Sequence, residues 1–166
     1  MTTLFAQPDE ILLSAEQKRT QQVKPDSSLS FNVSLNADRR RIFQVLTIAE
    51  YMETWLLIPG SQQESSIHVA SDPSGFHIQF LDETGNPAAL VGAYQTYRTS
   101  KTNILWRKAG VCQSDLSVVK IRLKGDFERT TLSLTHSGLN STDGLHWHRQ
   151  LWERSLEKLS SLFELQ

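Results

Sequence analysis

Cysteine is almost missing from this chain: Cys112 stands alone among 166 residues, so no disulfide can form within it and a reducing compartment is expected. Apolar runs are short as well, and none approaches the ~20 residues that a membrane-spanning helix needs. The opening stretch, MTTLFAQPDE, lacks the basic start and apolar centre of a secretion signal, which sets a cytoplasmic expectation without a membrane partner. Neither sign of charge dominates: 17 Lys+Arg against 18 Asp+Glu leave a net charge of −1, and no long basic or acidic run occurs. Bulk electrostatics therefore points neither to nucleic acid nor to an anionic bilayer. Glycine-rich phosphate loops, nucleophile elbows and zinc-protease helices are also absent, so no cofactor is expected. GLHWHRQ is no metal motif: His146 and His148 lie two apart and project about 200° from one another on a helix, too far round for one ion. Cys112 sits in a glycine-flanked loop with no base beside it, which makes a catalytic thiolate a poor reading.

What is present is pattern. From Thr130 the chain alternates, with Leu132, Leu134 and His136 on one face and Thr131, Ser133 and Thr135 on the other, as in a half-buried strand. Ser137, Gly138 and Asn140 break the strand, Thr142 or Asp143 is placed to cap a helix, and Leu145, Trp152, Leu156, Leu159 and Phe163 then recur at helical spacing. At ~1.5 Å per residue such a helix runs roughly 30 Å, the width of a small domain. Upstream, residues 1–28 read as an extension holding a short helix over Pro8 to Gln22, and the domain proper runs over 29–166. LSFNVSL alternates as a first strand; helices over Ala37 to Leu46 and Ala49 to Leu57 follow, ended by Pro59 and Gly60. SSIHVA, GFHIQFLD, AALVGAYQTYR, NILWRK and LSVVKIRLK are strands separated by turn-formers, which brings the strand count to seven with the first and TTLSLTH. The order of one strand, two short helices, six strands and a long helix predicts an α+β domain: an antiparallel sheet with helices on one face.

ADRRRIFQVLT with AEYMETWL, GAYQTYR running into NILWRK, TTLSLTHSGL, and Trp152 followed by Leu156 and Leu159 stand here in a specific order. In these features the chain resembles, from Leu29 to Leu165, the helix-grip superfamily of START-like (SRPBCC) and polyketide-cyclase-like proteins. Within it the chain is most similar to bacterial homologues of the activator of a heat-shock-protein ATPase. The resemblance implies a curved seven-stranded antiparallel sheet gripping the C-terminal helix, with two short helices between strands 1 and 2 and a cavity that in relatives holds apolar or aromatic small molecules. Leu151 departs from the family's usual glycine before the tryptophan, which is expected to narrow the near end of that cavity.

With Trp152 on the inward helix face, His148 and Ser155 point inward too, and His136 faces them from the preceding strand. A pocket normally sets a few polar groups in apolar walls, so His136, His148 and Ser155 are ligand-orienting candidates, with Trp55, Tyr94, Trp106 and Trp152 as walls. The plainer reading is that the histidines satisfy nearby backbone and the aromatics fill the core. Regular alternation places Gly92, Tyr94, Thr96 and Arg98 on one strand face and Tyr97 on the other; Arg98 reads as an anion anchor if that face is the inner one, and otherwise as a surface residue. Three functions follow: binding of a small apolar or aromatic ligand without chemistry, a cyclase or hydrolase using His136 or His148 as acid or base, or a chaperone-associated interaction module. Monomer and homodimer are both compatible with the sequence.

Overall fold

The computed structural model describes residues 28–60, 67–109 and 116–164. The expected helix over Pro8 to Gln22 and Cys112 lie outside these residues. Seven strands, β1 (Leu29–Leu35), β2 (His68–Asp72), β3 (Gly75–Leu81), β4 (Pro87–Arg98), β5 (Lys101–Ala109), β6 (Ser117–Gly125) and β7 (Thr130–Ser137), form one antiparallel sheet in the order β1-β7-β6-β5-β4-β3-β2. Strands β2 to β7 are a meander of sequence neighbours. Only β1 is placed by a distant partner: Leu29 pairs with His136 and Leu35 with Thr130, so the first strand closes against the last. Helices α1 (Arg39–Thr47) and α2 (Ala49–Trp55) cross between β1 and β2, and α3 (Thr142–Glu164) lies over the sheet. This is the α+β arrangement expected from the order of elements, and the helix-grip form of it that the family resemblance implied.

Local chemistry explains the element ends. The Asp38 side chain accepts from Arg41 N at 2.8 Å and caps α1, which ends when Ile48 turns extended at φ −91° and ψ 129°. The same Ile48 starts α2, so two short helices meet at a corner, tied by Trp55 Nε1 donating to the Val45 carbonyl at 2.8 Å. Neither expected cap of α3 serves; Ser141 does, its Oγ accepting from Gly144 N at 2.9 Å. The buried positions of α3 are His148, Leu151, Trp152, Ser155, Leu156, Leu159 and Phe163, one stripe at three- and four-residue spacing.

That stripe packs on the inward residues of the strands: Leu132, Leu134 and His136 of β7, Ser117, Val119, Ile121 and Leu123 of β6, Ile104 and Trp106 of β5, Leu90 of β4, Phe76, Ile78 and Phe80 of β3. Fully burying each such apolar side chain is worth ~1.5–3 kcal/mol, and this layer is the main source of stability. Gly92 has a specific place in it. It pairs with Trp106, and a Cβ there would stand 2.2 Å from the Phe76 ring, which instead meets Trp106 edge-on at 5.5 Å.

The alternation of β4 fails at one point. The ladder between β4 and β5 shifts between Tyr94 and Thr96, where a bulge adds a residue. Beyond it Tyr97 pairs with the buried Thr102 and joins Tyr94 on the inner face, ring centroids 4.6 Å apart. Arg98, level with Lys101, turns to solvent. The expected face assignment of Tyr97 and Arg98 is thus reversed, because one inserted residue inverts a period-two pattern.

Candidate functional site

Between the sheet and α3, the candidate residues gather into two adjoining groups. The first is polar and sealed. His136, on β7, is fully buried; Trp152 Nε1 donates to its Nδ1 at 3.0 Å, and its Nε2 lies 2.8 Å from Ser117 Oγ. An indole N–H only donates, so Nδ1 is the unprotonated nitrogen, Nε2 carries the hydrogen and gives it to Ser117, and the Ser117 hydroxyl donates onward to the Trp106 carbonyl at 3.2 Å. His148, on α3, has the opposite tautomer by the same logic: Trp106 Nε1 donates to its Nε2 at 3.0 Å, and its Nδ1 hydrogen goes to the Gly144 carbonyl at 2.8 Å. The two imidazoles meet edge to face with centroids 4.6 Å apart. All four ring nitrogens are occupied.

Burial holds both histidines neutral. Burial pushes the pKa of His136 down from 6.5 to about 2, with the neighbouring His148 opposing a second charge. Burial likewise takes His148 down to about 4, although its bond to the Gly144 carbonyl favours the charged form; Lys108 nearby adds to the lowering. Lys108 also sits over the Trp147 ring, 4.2 Å from its centroid, and Trp147 stacks on Phe80, which roofs this end of the cleft.

The second group is apolar. A cavity of about 30 Å³ lies beside the histidines, and Trp55, Tyr94, Trp106 and Trp152 all line it, with Met52, Phe76 and Leu156 among the other walls. His136, His148 and Ser155 do not line it. Ser155 is fully buried and works as a staple: its Oγ accepts from Leu57 N at 2.8 Å and donates to the Leu57 carbonyl at 3.4 Å, fastening the segment after α2 to α3. Leu151 is fully buried in the core and is not a wall of the cavity. Trp106 and Trp152 form the partition, each giving its N–H to a histidine while its ring borders the cavity.

Tyr94 is the exception among the cavity's aromatics. Its hydroxyl has no hydrogen-bond partner among the described residues, and burial, with Tyr97 and Asp72 adding, raises its pKa well above the ordinary phenol range. From Tyr94 a chain of rings leads outward through Tyr97 to Phe43 of α1, the latter two 5.0 Å apart, and Tyr97 is 37 % exposed. Ser117 and Tyr97 are the residues that sequence reading missed. Ser117 was within reach, since it shares parity with Val119, Ile121 and Leu123; Tyr97 was not, because nothing in GAYQTYR marks the bulge.

The fold and this cleft define the chain as a helix-grip, SRPBCC-type protein of the polyketide-cyclase-like class. Residues 36–164 match the family described as Activator of Hsp90 ATPase homolog 1-like protein, and the chain belongs to that family. No curated protein matches the sequence. Among solved structures, protein CV1439 from Chromobacterium violaceum is similar with a TM-score of 0.68 at 17% identity, over 84% of this chain and 98% of that one. The AHSA1 protein from Silicibacter pomeroyi gives a TM-score of 0.65 at 15% identity, over 83% and 98%. DynU16, a protein from the dynemicin biosynthetic locus, gives 0.60 at 17% identity, over 84% of this chain and 48% of that one. At these identities the likeness is one of fold. Among the described residues no helix is long and apolar enough to cross a membrane.

Proposed function

We propose that this chain binds a small apolar or aromatic molecule at the aromatic end of the cleft, without acid or base chemistry from the histidines. The observation that carries the reading is the convergence of Trp55, Tyr94, Trp106 and Trp152, from four separate elements, around one cavity. Without a hydrogen-bond partner among the described residues, the hydroxyl of the partly buried Tyr94 is suited to a ligand bearing a single acceptor such as a carbonyl or ether oxygen.

At about 30 Å³ the cavity accommodates a water or two, whereas small-molecule pockets run to ~300–1,000 Å³. Binding therefore requires opening. In this proposal the wall that opens is the α1–α2 corner, which contributes Leu46, Thr47, Met52 and Trp55 and carries Phe43 of the partly exposed Phe43–Tyr97 pair. The opposite wall is cross-linked through the histidine bonds and stays in place.

The alternative of a cyclase-type enzyme using His136 or His148 is disfavoured by those same bonds, since the only unprotonated nitrogen of each ring already accepts an indole N–H. A chaperone partner, the remaining alternative, draws on the family's description rather than on a feature of this cleft.

A thermal-shift screen with apolar and aromatic metabolites, followed by NMR of the Met52 methyl group, tests the proposal, because a ligand for the folded state raises its stability by mass action. Stabilising compounds are expected to shift the Met52 methyl resonance and to lose affinity for Tyr94→Phe. Failure of every compound, or stabilisation that leaves Met52 unmoved, contradicts the proposal.

A further inference from the structure

The solvent-facing side of the sheet has a charge distribution that net charge conceals. On β4, β5 and β6 the outward positions include Arg98, Lys101, Arg107, Lys120, Arg122 and Lys124, and no aspartate or glutamate occurs anywhere in β1, β4, β5, β6 or β7. Register brings these cations together. Arg98 lies level with Lys101 and Lys101 with Arg122, one row across three strands, and Lys120 and Lys124 flank Arg122 along β6. Neighbouring strands are ~4.8 Å apart and same-face residues ~6.8 Å apart along a strand, so five cations share a patch on the order of 10 by 14 Å. Arg122 is held in place: its Nη1 donates to Asn103 Oδ1 at 3.0 Å and to the Ile121 carbonyl at 3.0 Å.

Like charges directly opposite one another weaken strand pairing, and ordinary solvent faces intersperse the two signs. A sheet that sets Lys101 between two arginines is locally unfavourable by itself and is relieved by an anionic partner. We propose that this outer face of β4–β5–β6 is a docking surface for an acidic stretch of a protein partner.

Three features select that occupant. The patch is small and bordered by acids at one end: Asp126 and Glu128 lie in the turn after Lys124. A duplex or a bilayer would extend past it onto those carboxylates. Aromatic side chains are missing from the outward strand positions of β4 to β7, and Phe127, in the turn after Lys124, is a single exposed ring rather than a row on which successive unpaired bases stack. And salt screens the attraction beyond about one Debye length, ~8 Å at physiological ionic strength, which suits a compact anion. Beside the cations stand Asn32, Ser133 and Thr135, short polar groups of the kind that complete a polar interface. The ligand cavity is on the opposite face, so the two proposals stand or fall separately.

The test is fluorescence anisotropy of the intact chain with a labelled oligoglutamate peptide, beside duplex DNA and vesicles of phosphatidylcholine with phosphatidylserine. Oligoglutamate is expected to bind in a salt-dependent way. The double variant Lys101→Glu/Arg122→Glu should weaken it about tenfold or more, and Arg154→Glu, on the exposed side of α3, should leave it unchanged. Should the reversal variant fail to fold, Lys101→Gln/Lys120→Gln is expected to give a smaller loss in the same direction. Absence of peptide binding, binding indifferent to these variants, equal loss in Arg154→Glu, or tighter binding of duplex or vesicles each overturns the proposal.

Discussion

The two ends of the cleft share a wall and differ in almost everything else. At the histidine end every polar atom has a partner: two indole N–H groups, four imidazole nitrogens, a serine hydroxyl and two carbonyls close into one network. At the tyrosine end the walls are apolar, a cavity remains, and the Tyr94 hydroxyl is unmatched among the described residues. Buried polar groups are costly unless satisfied. The sealed end is therefore scaffold, and the tyrosine end, where the partly buried Tyr94 has no such partner, is the end to which the ligand proposal is assigned. Polar residues inside a pocket-bearing fold are thus not by themselves the site; their state of satisfaction distinguishes scaffold from site.

Substitutions can break or sharpen this contrast. The largest effect is expected for His136→Leu, which orphans Trp152 Nε1 and takes away the donor to Ser117 Oγ, leaving that hydroxyl only its bond to the Trp106 carbonyl; urea denaturation should show a loss of about 3–5 kcal/mol. Next is pH. Both histidines have folded pKa values below the unfolded 6.5, so the unfolded chain takes up protons first and stability falls as pH drops from 6.5 towards 4, with His136 continuing to about 2. Between pH 6.5 and 5 the loss is about 2 kcal/mol for each histidine, measurable as a falling unfolding midpoint. Trp106→Phe, which deprives His148 Nε2 of its donor, should cost about 1–3 kcal/mol and raise the pKa of His148. Ser155→Ala, unfastening Leu57, should cost about 1–2 kcal/mol in the same assay. Tyr94→Phe should be the mildest, within about 0.5 kcal/mol in stability, while weakening a bound acceptor-bearing ligand about tenfold. A Tyr94→Phe variant as unstable as His136→Leu would erase the distinction between the ends.

Much of the fold was legible because it rests on periodicity. The alternation of LSFNVSL and SVVKIRLK and the spacing of Trp152, Leu156, Leu159 and Phe163 each placed a residue on the correct face. His136, His148 and Ser155 were rightly turned inward by the same rule, yet their roles were not legible, since a hydrogen bond depends on what arrives from a distant element: Trp106 reaches His148 across 42 residues and Leu57 reaches Ser155 across 98. The bulge in β4 escaped for another reason. It is a choice of register against β5, and Tyr94, Gln95 and Thr96, where the ladder shifts, include no glycine of the kind that often betrays such a site. Ser141 displaced Thr142 and Asp143 as the helix cap by a shift of one or two residues, the usual scale of ambiguity at helix ends.

The outer face adds a lesson about charge. A net value of −1 and the absence of a long basic run concealed a cationic row, because cross-strand neighbours such as Lys101 and Arg122 are 21 residues apart in sequence and adjacent only through the ladder.

The account turns on whether the histidine pair is neutral scaffold. Nitrogen-detected NMR of the imidazoles, followed from pH 7 down to about 5, addresses this directly. The account predicts opposite tautomers, with the hydrogen on Nε2 of His136 and on Nδ1 of His148, and no titration of either ring in that range. A midpoint near 6.5 for either histidine, or a shared tautomer, would contradict it and restore the acid–base reading of the cleft.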